Sequence, residues 1–308
     1  EVGPTDAPTI VLEGHIDVVP AHAEQFEPRL EGDRLYGRGA YDMKGAIAAM
    51  MVVTAALRDQ DRVRVRLGIV GDEESEEGED RGCDRLVDSG FIGDFAITGE
   101  PTDLHIGVEA KGVLALRLEV EGRAAHGATP WLGDNAVLNA IDVFRSIESL
   151  PFARQSSELF DRPSINLGRI WGGDALNKVP DRCVIDVDIR YLPGQDPAAL
   201  LEEIRAMPGV GAEPLLVRPP ATVDRESPFV LGLREAAATY ANGETMSVGR
   251  DGASDAVSFL RVGVPAVEFG PVGAGHHGPA EWVSVSSLEG YRQALESFLR
   301  AIPERLGE

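Results

Sequence analysis

Five short segments of this chain bring together side chains that can bind cations and move protons. They are Gly14-His15-Ile16-Asp17, Gly39-Ala40-Tyr41-Asp42, Asp72-Glu73-Glu74, Gly99-Glu100-Pro101 and Gly275-His276-His277. Two imidazoles and three carboxylates suit a pair of borderline cations such as zinc. A carboxylate such as Asp42 can bridge two ions, because each oxygen can face a different metal. In two-metal sites the ions sit roughly 3.5–4 Å apart and clamp the reacting oxygens. Each residue also has a plainer reading. A His-x-Asp pair is more often a hydrogen-bonded pair than a metal site. Asp42, after Gly-Arg-Gly-Ala, could cap a helix. Glu73 and Glu74 open an acidic run, Asp72–Asp80, of the kind that is usually a solvated loop. Glu100 could be a turn residue, and His276-His277 a polar loop. What favours chemistry is that all five segments fall at the ends of predicted strands.

Those strands and their helices define the scaffold. Thr9–Leu12 is a short apolar run that reads as a buried strand. Met43–Arg58, rich in Ala and Met with no breaker after Gly45, reads as a helix behind a glycine-rich turn. Val63–Gly71 and Phe95–Thr98 read as strands, the first ending on the acidic run and the second on Gly99-Glu100. The order predicts a mostly parallel α/β sheet sandwiched by helices, and such sheets bind ligands at the carboxyl ends of their strands. The pattern changes near Lys111. Val113–Glu121 alternates strictly, Asn135–Ile147 and Pro197–Met207 read as helices, and Ile165–Ile170 and Val184–Arg190 as strands. From Ser227 the α/β pattern returns with helices Phe229–Tyr240, Ala256–Val262 and Ser287–Ala301 and a strand Ala266–Phe269. We therefore expect a catalytic domain from residues 1–110 and 218–308, interrupted by an inserted, smaller α+β domain, residues 111–217.

Composition limits the partners. With 29 basic and 51 acidic residues the chain carries a formal charge of −22, which argues against nucleic acid and anionic membranes as partners. No apolar run reaches the roughly 18–20 residues of a membrane helix. The residues from Glu1 lack a basic-then-apolar secretory signal, and the chain does not begin with Met. Cys83 and Cys183 form no CxxC pair and read as buried free thiols of a cytoplasmic protein. Gly37-Arg38-Gly39 lacks the third glycine of a dinucleotide fingerprint, and no phosphate-binding GxxxxGK[ST] sequence occurs.

Taken together, Gly14-His15-Ile16-Asp17-Val18-Val19-Pro20, Leu35 through Gly45 (LYGRGAYDMKG), Asp72-Glu73-Glu74 and Gly99-Glu100-Pro101-Thr102 resemble the acetylornithine deacetylase / succinyl-diaminopimelate desuccinylase family, which includes aminoacylases and some carboxypeptidases. The likeness continues through Gly122-Arg123-Ala124-Ala125-His126-Gly127, Gly172 through Asn177 (GGDALN), and Glu268-Phe269-Gly270-Pro271 with His277 and Glu281. It spans nearly the whole chain, in order.

The resemblance implies roles. His15, Asp42 and Glu100 would bind one divalent ion, and Asp42, Glu74 and His277 the other. Zinc is the expected metal, with cobalt and manganese as alternatives. Glu73 would be the general base for a water activated by the ion pair, and Asp17 would orient His15. The family's spacing selects His277 over His276. The insert would be a lid that also makes a homodimer, with His126 stabilising the oxyanion. Asn177, Arg190, Gly252 and Ser254 would contact substrate. By residue type alone, Arg190 could hold a substrate carboxylate or form a surface salt bridge, and Asp255 could cap the following helix. Glu rather than Asp at position 100 resembles the deacylase branch. The implied substrate is an N-acyl amino acid, with a dipeptidase or carboxypeptidase as the alternative and a non-catalytic binding protein as the rival from another class. The family normally places a helix and one or two strands before the His-x-Asp strand. Only 14 residues precede His15 here, so truncation or loss of that opening is also expected.

Overall fold

The computed structural model describes residues 1–74, 81–241, 246–252 and 254–307. It divides into two compact units, one formed by Glu1–Glu109, Ala221–Val248 and Ser254–Glu308, the other by Ala110–Pro220 and Gly249–Ala253. Ser75–Asp80 of the acidic run, and Ala253 of the Gly252-Ala253-Ser254 loop, lie outside the described residues.

The first unit is built on a seven-stranded sheet. Its order runs Ala221–Thr222, Ile106–Ala110, Ala266–Glu268, Phe95–Thr98, Thr9–His15 and Arg64–Val70, with Ser247–Arg250 also paired to Ile106–Ala110. Thr9–His15 pairs in parallel with both Arg64–Val70 and Phe95–Thr98, and Ala266–Glu268 is parallel to Phe95–Thr98. Ile106–Ala110 runs antiparallel to Ala266–Glu268, so the sheet is mostly, not wholly, parallel. Ile10, Val11 and Leu12 are fully buried, as expected for a strand covered on both faces. Val11 packs with Cys83, Val87 and Phe259. The helices Gly45–Ala56 and Val285–Leu306 pack against each other, and the first also packs on Thr9–His15. Gly14 lies under this contact, where a Cβ would meet Ile47 Cγ1 of the helix at 3.0 Å and Met43 Cε at 2.4 Å.

A small antiparallel sheet of Gly273–Ala274, Trp282–Ser284, Arg34–Tyr36 and Arg29–Glu31 completes the first unit. Strands of two or three residues carry no readable period, so none of these four was expected. The helix expected from Met43 starts at Gly45 instead. Ala40–Lys44 forms a kinked turn in which Asp42 (φ −118°, ψ 93°) and Met43 (φ −133°, ψ 29°) leave helical geometry. The Asp42–Met43 peptide is cis. The last helix, expected to stop at Ala301, runs on through Pro303 to Leu306.

The second unit carries a four-stranded antiparallel sheet in the order Val210–Arg218, Gly112–Glu121, Arg182–Tyr191 and Ser164–Gly172. The period of two in Gly112–Glu121 sends Leu114, Leu116, Leu118 and Val120 inward, where they pack with Ala140, Phe144, Ile147, Leu200 and Ile204. These come from the helices Ala136–Glu148 and Pro197–Arg205. Both helices start on side-chain caps. Asn135 Oδ1 accepts from Val137 N (3.0 Å), and Asp196 Oδ1 accepts from Ala198 N (2.9 Å). Val210–Arg218 was not expected as a strand. It lies at the sheet edge and bulges between Pro214 and Leu216, the place where a strand tolerates proline.

Candidate metal centre

In the first unit His15 ends one strand, Glu100 follows Phe95–Thr98, and Glu73 and Glu74 follow Arg64–Val70. Asp42 comes from the kinked turn and His277 from the turn between Gly273–Ala274 and Trp282–Ser284. The fold brings these six side chains together. His15 Nε2 lies 3.2 Å from Asp42 Oδ1 and 3.5 Å from Glu100 Oε1. His277 Nε2 lies 3.3 Å from Asp42 Oδ2 and 2.9 Å from Glu74 Oε1. Asp42 thus turns one oxygen to each imidazole. The donor atoms of His15, Asp42 and Glu100 all lie within 4.8 Å of one another, as do those of Asp42, Glu74 and His277.

Electrostatics agree with a site built for cations. Burial drives the Glu100 carboxyl well above its ordinary range, and the charges of Asp42 and Glu73 add to this. Burial of His15 disfavours its charge. The hydrogen bond to Asp42 and the charges of Glu73 and Glu74 outweigh that and raise it to about 9. Hydrogen bonds to Asp42 and Glu74 raise His277 to about 10. Asp42 is pulled below the usual carboxylate range by the two imidazoles, against its burial. The cluster therefore gathers more negative charge than a buried pocket tolerates unaided, and its mixed nitrogen and oxygen donors fit two divalent ions.

Glu73 is different. Burial pushes its carboxyl up to about 7; Asp255, Glu74 and Asp42 add to the rise, and His15 opposes it. Asp255 belongs to a buried group with Glu13 and Cys83. Burial, with the charges of Asp255 and Glu73, raises Glu13 far above its usual range, and its Oε1 has no hydrogen-bond partner among the described residues. Burial likewise pushes the Cys83 thiol well up.

Asp17 does more than face His15. Its Oδ1 is 3.5 Å from His15 Nδ1, and its two oxygens accept the backbone N–H groups of Glu73 (3.3 Å) and Glu74 (2.9 Å). It thereby fixes the stretch that carries both glutamates. Sequence reasoning missed this second task, and it missed the ion pair of Arg38 with Glu281 (2.6 Å). These partners stand 243 positions apart, and no local pattern links them.

The other expected site residues lie elsewhere. His126 and Asn177 meet within the second unit, where Gly127 N donates to Asn177 O (2.7 Å) and His126 pairs with Lys178. His126 Nδ1 accepts from Ala128 N (3.0 Å), which leaves Nε2 as its donor. Arg190 donates Nε to Asp188 (3.0 Å). Gly252 falls in the second unit and Ser254 in the first. Asp255 stands at the N-cap of the helix Ala256–Arg261 without a side-chain cap bond, and Ser254 Oγ beside it accepts from Ala256 N (3.1 Å).

Carboxylates and imidazoles converging at the strand ends of an α/β sheet offer a donor set for divalent ions, and the family comparison makes the chain a hydrolase of amide or peptide bonds. The chain belongs to peptidase family M20/M25/M40, whose profile matches residues 11–301. It is 31% identical, over 96% of its length and 84% of the relative's, to a succinyl-diaminopimelate desuccinylase of Leptothrix cholodnii. It is 30% identical to that of Erythrobacter litoralis, over 93% and 79% of the two chains. Among solved structures it resembles the aminopeptidase PepT of Bacillus cereus (TM-score 0.78, 20% identity, 98% of this chain and 82% of that one). It also resembles the M20 family metallo-carboxypeptidase Sso-CP2 of Sulfolobus solfataricus (TM-score 0.75, 19% identity, 98% and 86%). Among the described residues no helix is long and apolar enough to cross a membrane.

Proposed function

We propose that this protein is a two-metal deacylase that cleaves the amide bond of an N-acyl amino acid, of the succinyl type first. The observation that carries the reading is the double engagement of Asp42, one oxygen toward His15 and the other toward His277. His15, Asp42 and Glu100 would hold one ion and Asp42, Glu74 and His277 the other, with zinc as the metal. When bound, such a pair brings a water toward ionisation at neutral pH and polarises the scissile carbonyl.

The remaining steps fall to the chain's own groups. Glu73 lies within reach of His15 and Glu74 without belonging to either proposed ligand set, a place that suits a carboxylate that must take a proton from water and return it to the departing amine. Asp17 keeps Glu73 and Glu74 in register through their backbone N–H groups, so that one carboxylate ligates and the other stays free for proton transfer. His126 is assigned as a donor to the carbonyl oxygen through Nε2, and Asn177, Arg190, Gly252 and Ser254 as substrate contacts. A homodimer through the second unit belongs to the same reading, supported by exposed Leu138, Ile141, Ile170 and Trp171. So does a reducing cytoplasmic setting, supported by two buried free thiols. The desuccinylase names of relatives near 30% identity support the acyl class.

The test is a comparison of N-succinyl, N-acetyl and dipeptide substrates on zinc-loaded protein. Fastest turnover is expected on succinylated amino acids. Turnover of dipeptides alone would replace the deacylase with a peptidase, and turnover in a metal-free preparation would remove the mechanism.

A further inference from the structure

Glu281 lies outside both ligand sets, yet its carboxylate is almost fully enclosed and fully used. Oε2 accepts from Arg38 Nη1 (2.6 Å) and Gly39 N (3.1 Å), and Oε1 accepts from Tyr41 N (3.0 Å) and Asp42 N (3.1 Å). Three backbone donors, from Gly39, Tyr41 and Asp42, thus come from the turn that presents Asp42 and its entry. The partner, Arg38, spends its other arm on the opposite loop, where Nη2 donates to the carbonyl of Gly278 (2.9 Å), the residue after His277. Gln25 Nε2 donates to the same carbonyl (3.1 Å), and Gly37 N to the backbone carbonyl of Glu281 (3.2 Å). The side chains of Arg38 and Glu281 are 3% and 1% exposed.

The two loops need such a tie. Asp42 sits in a turn that leaves helical geometry, entered through Gly39 at φ +79°. His277 has φ +61°, a left-handed backbone that a non-glycine residue keeps only where surrounding contacts hold it. A buried ion pair contributes little net stability against an apolar pair of equal volume. What it supplies is a fixed arrangement of donors and acceptors.

We propose that Arg38 and Glu281 are positioning residues, a buried strut that ties the Asp42 turn to the His277 loop and sets the spacing between these two ligands. The proposal rests on the two-ion reading and adds a selective claim. The set of Asp42, Glu74 and His277 has two of its three ligands on the strut. The set of His15, Asp42 and Glu100 has only one, its other two being held at strand ends. Loss of the strut should therefore weaken one ion far more than the other.

The experiment titrates the metal-free protein with zinc, reading stoichiometry and affinity by calorimetry and metal analysis. His277→Ala marks which of two wild-type sites is lost with that ligand. Glu281→Gln sets an amide NH2 among donors. It is expected to weaken that same site about 10–100-fold, the range for residues that orient metal ligands, and to change the other far less. The double variant Arg38→Met with Glu281→Leu removes the strut without leaving a buried charge and is expected to show the same selective loss. If Glu281→Gln does not fold, the double variant decides alone. Two unchanged sites in these variants, or equal weakening of both, would overturn the strut while leaving the two-ion reading intact. Fewer than two sites in the wild type would overturn both.

Discussion

The two units bury different things. In the unit with the cluster, Glu13, His15, Arg38, Asp42, Asp255, Glu268 and Glu281 all lie below the surface; in the other, the described buried charged residues are Lys111 and Asp186. The second unit's sheet alternates aliphatic side chains inward and pairs Arg117 with Asp186 across neighbouring strands, the arginine reaching toward solvent. Its stability follows from apolar burial and needs no ligand. The first unit encloses its charges at a cost that bound cations would offset. One unit is thus organised around what it binds and the other around its own core.

The largest separation of the two is expected from removing the ions. Chelation should abolish turnover and lower the melting transition of the first unit, leaving the second near its original temperature, as scanning calorimetry would read; a single transition shifted as a whole would erase the contrast. Glu73→Ala should cut kcat by about 10²–10⁴-fold, the usual contribution of a general base, at unchanged zinc content. His126→Ala should lower kcat by about 10²–10³-fold, as for loss of one oxyanion donor, again with both ions present; a silent substitution would take His126 out of the reaction. Leu116→Ala should cost about 2–5 kcal/mol in the second unit's transition and leave zinc affinity alone.

The smallest effect expected is one of pH. In the metal-free protein His15 stands near 9 and His277 near 10, above the free imidazole. A raised folded value stabilises fully below about pH 6.5 and is lost as pH rises through 9 to 10. Glu73, raised to about 7, pulls in the same direction from about pH 4.5 to 7. The melting temperature of the metal-free protein should therefore fall between pH 7 and 10, by a modest amount because His277 is half exposed and solvent screens it. The zinc-loaded protein should stay flat there, because ions take the place of those protons. An equal slope in both forms would separate the imidazoles from the ions.

Much of this contrast is legible along the chain. The period of two in Gly112–Glu121 and the apolar run from Thr9 announce their strands. His15, Asp42, Glu73, Glu74, Glu100 and His277 stand in short motifs at element ends, where type and spacing survive in one dimension. What cannot be read locally depends on distant partners. Pro214 argues against a strand until its edge position is known. Gly82–Asp88, a seven-residue helix, is too short to show a period. Asp17 reveals its hold on Glu73 and Glu74 only when two strand ends meet. Arg38 and Glu281 look like ordinary surface charges until the chain is folded.

The long reach of the Arg38–Glu281 pair also bears on how the protein is born. A ribosome adds roughly 5–20 residues per second, so the 243 residues between the two take about ten to fifty seconds to emerge. Throughout that interval the nascent chain has Asp42 outside the tunnel with neither its anchor nor His277. Metal loading with both sites in place thus waits until the segment carrying His277 and Glu281 has left the ribosome, and the hydrolase cannot act before then.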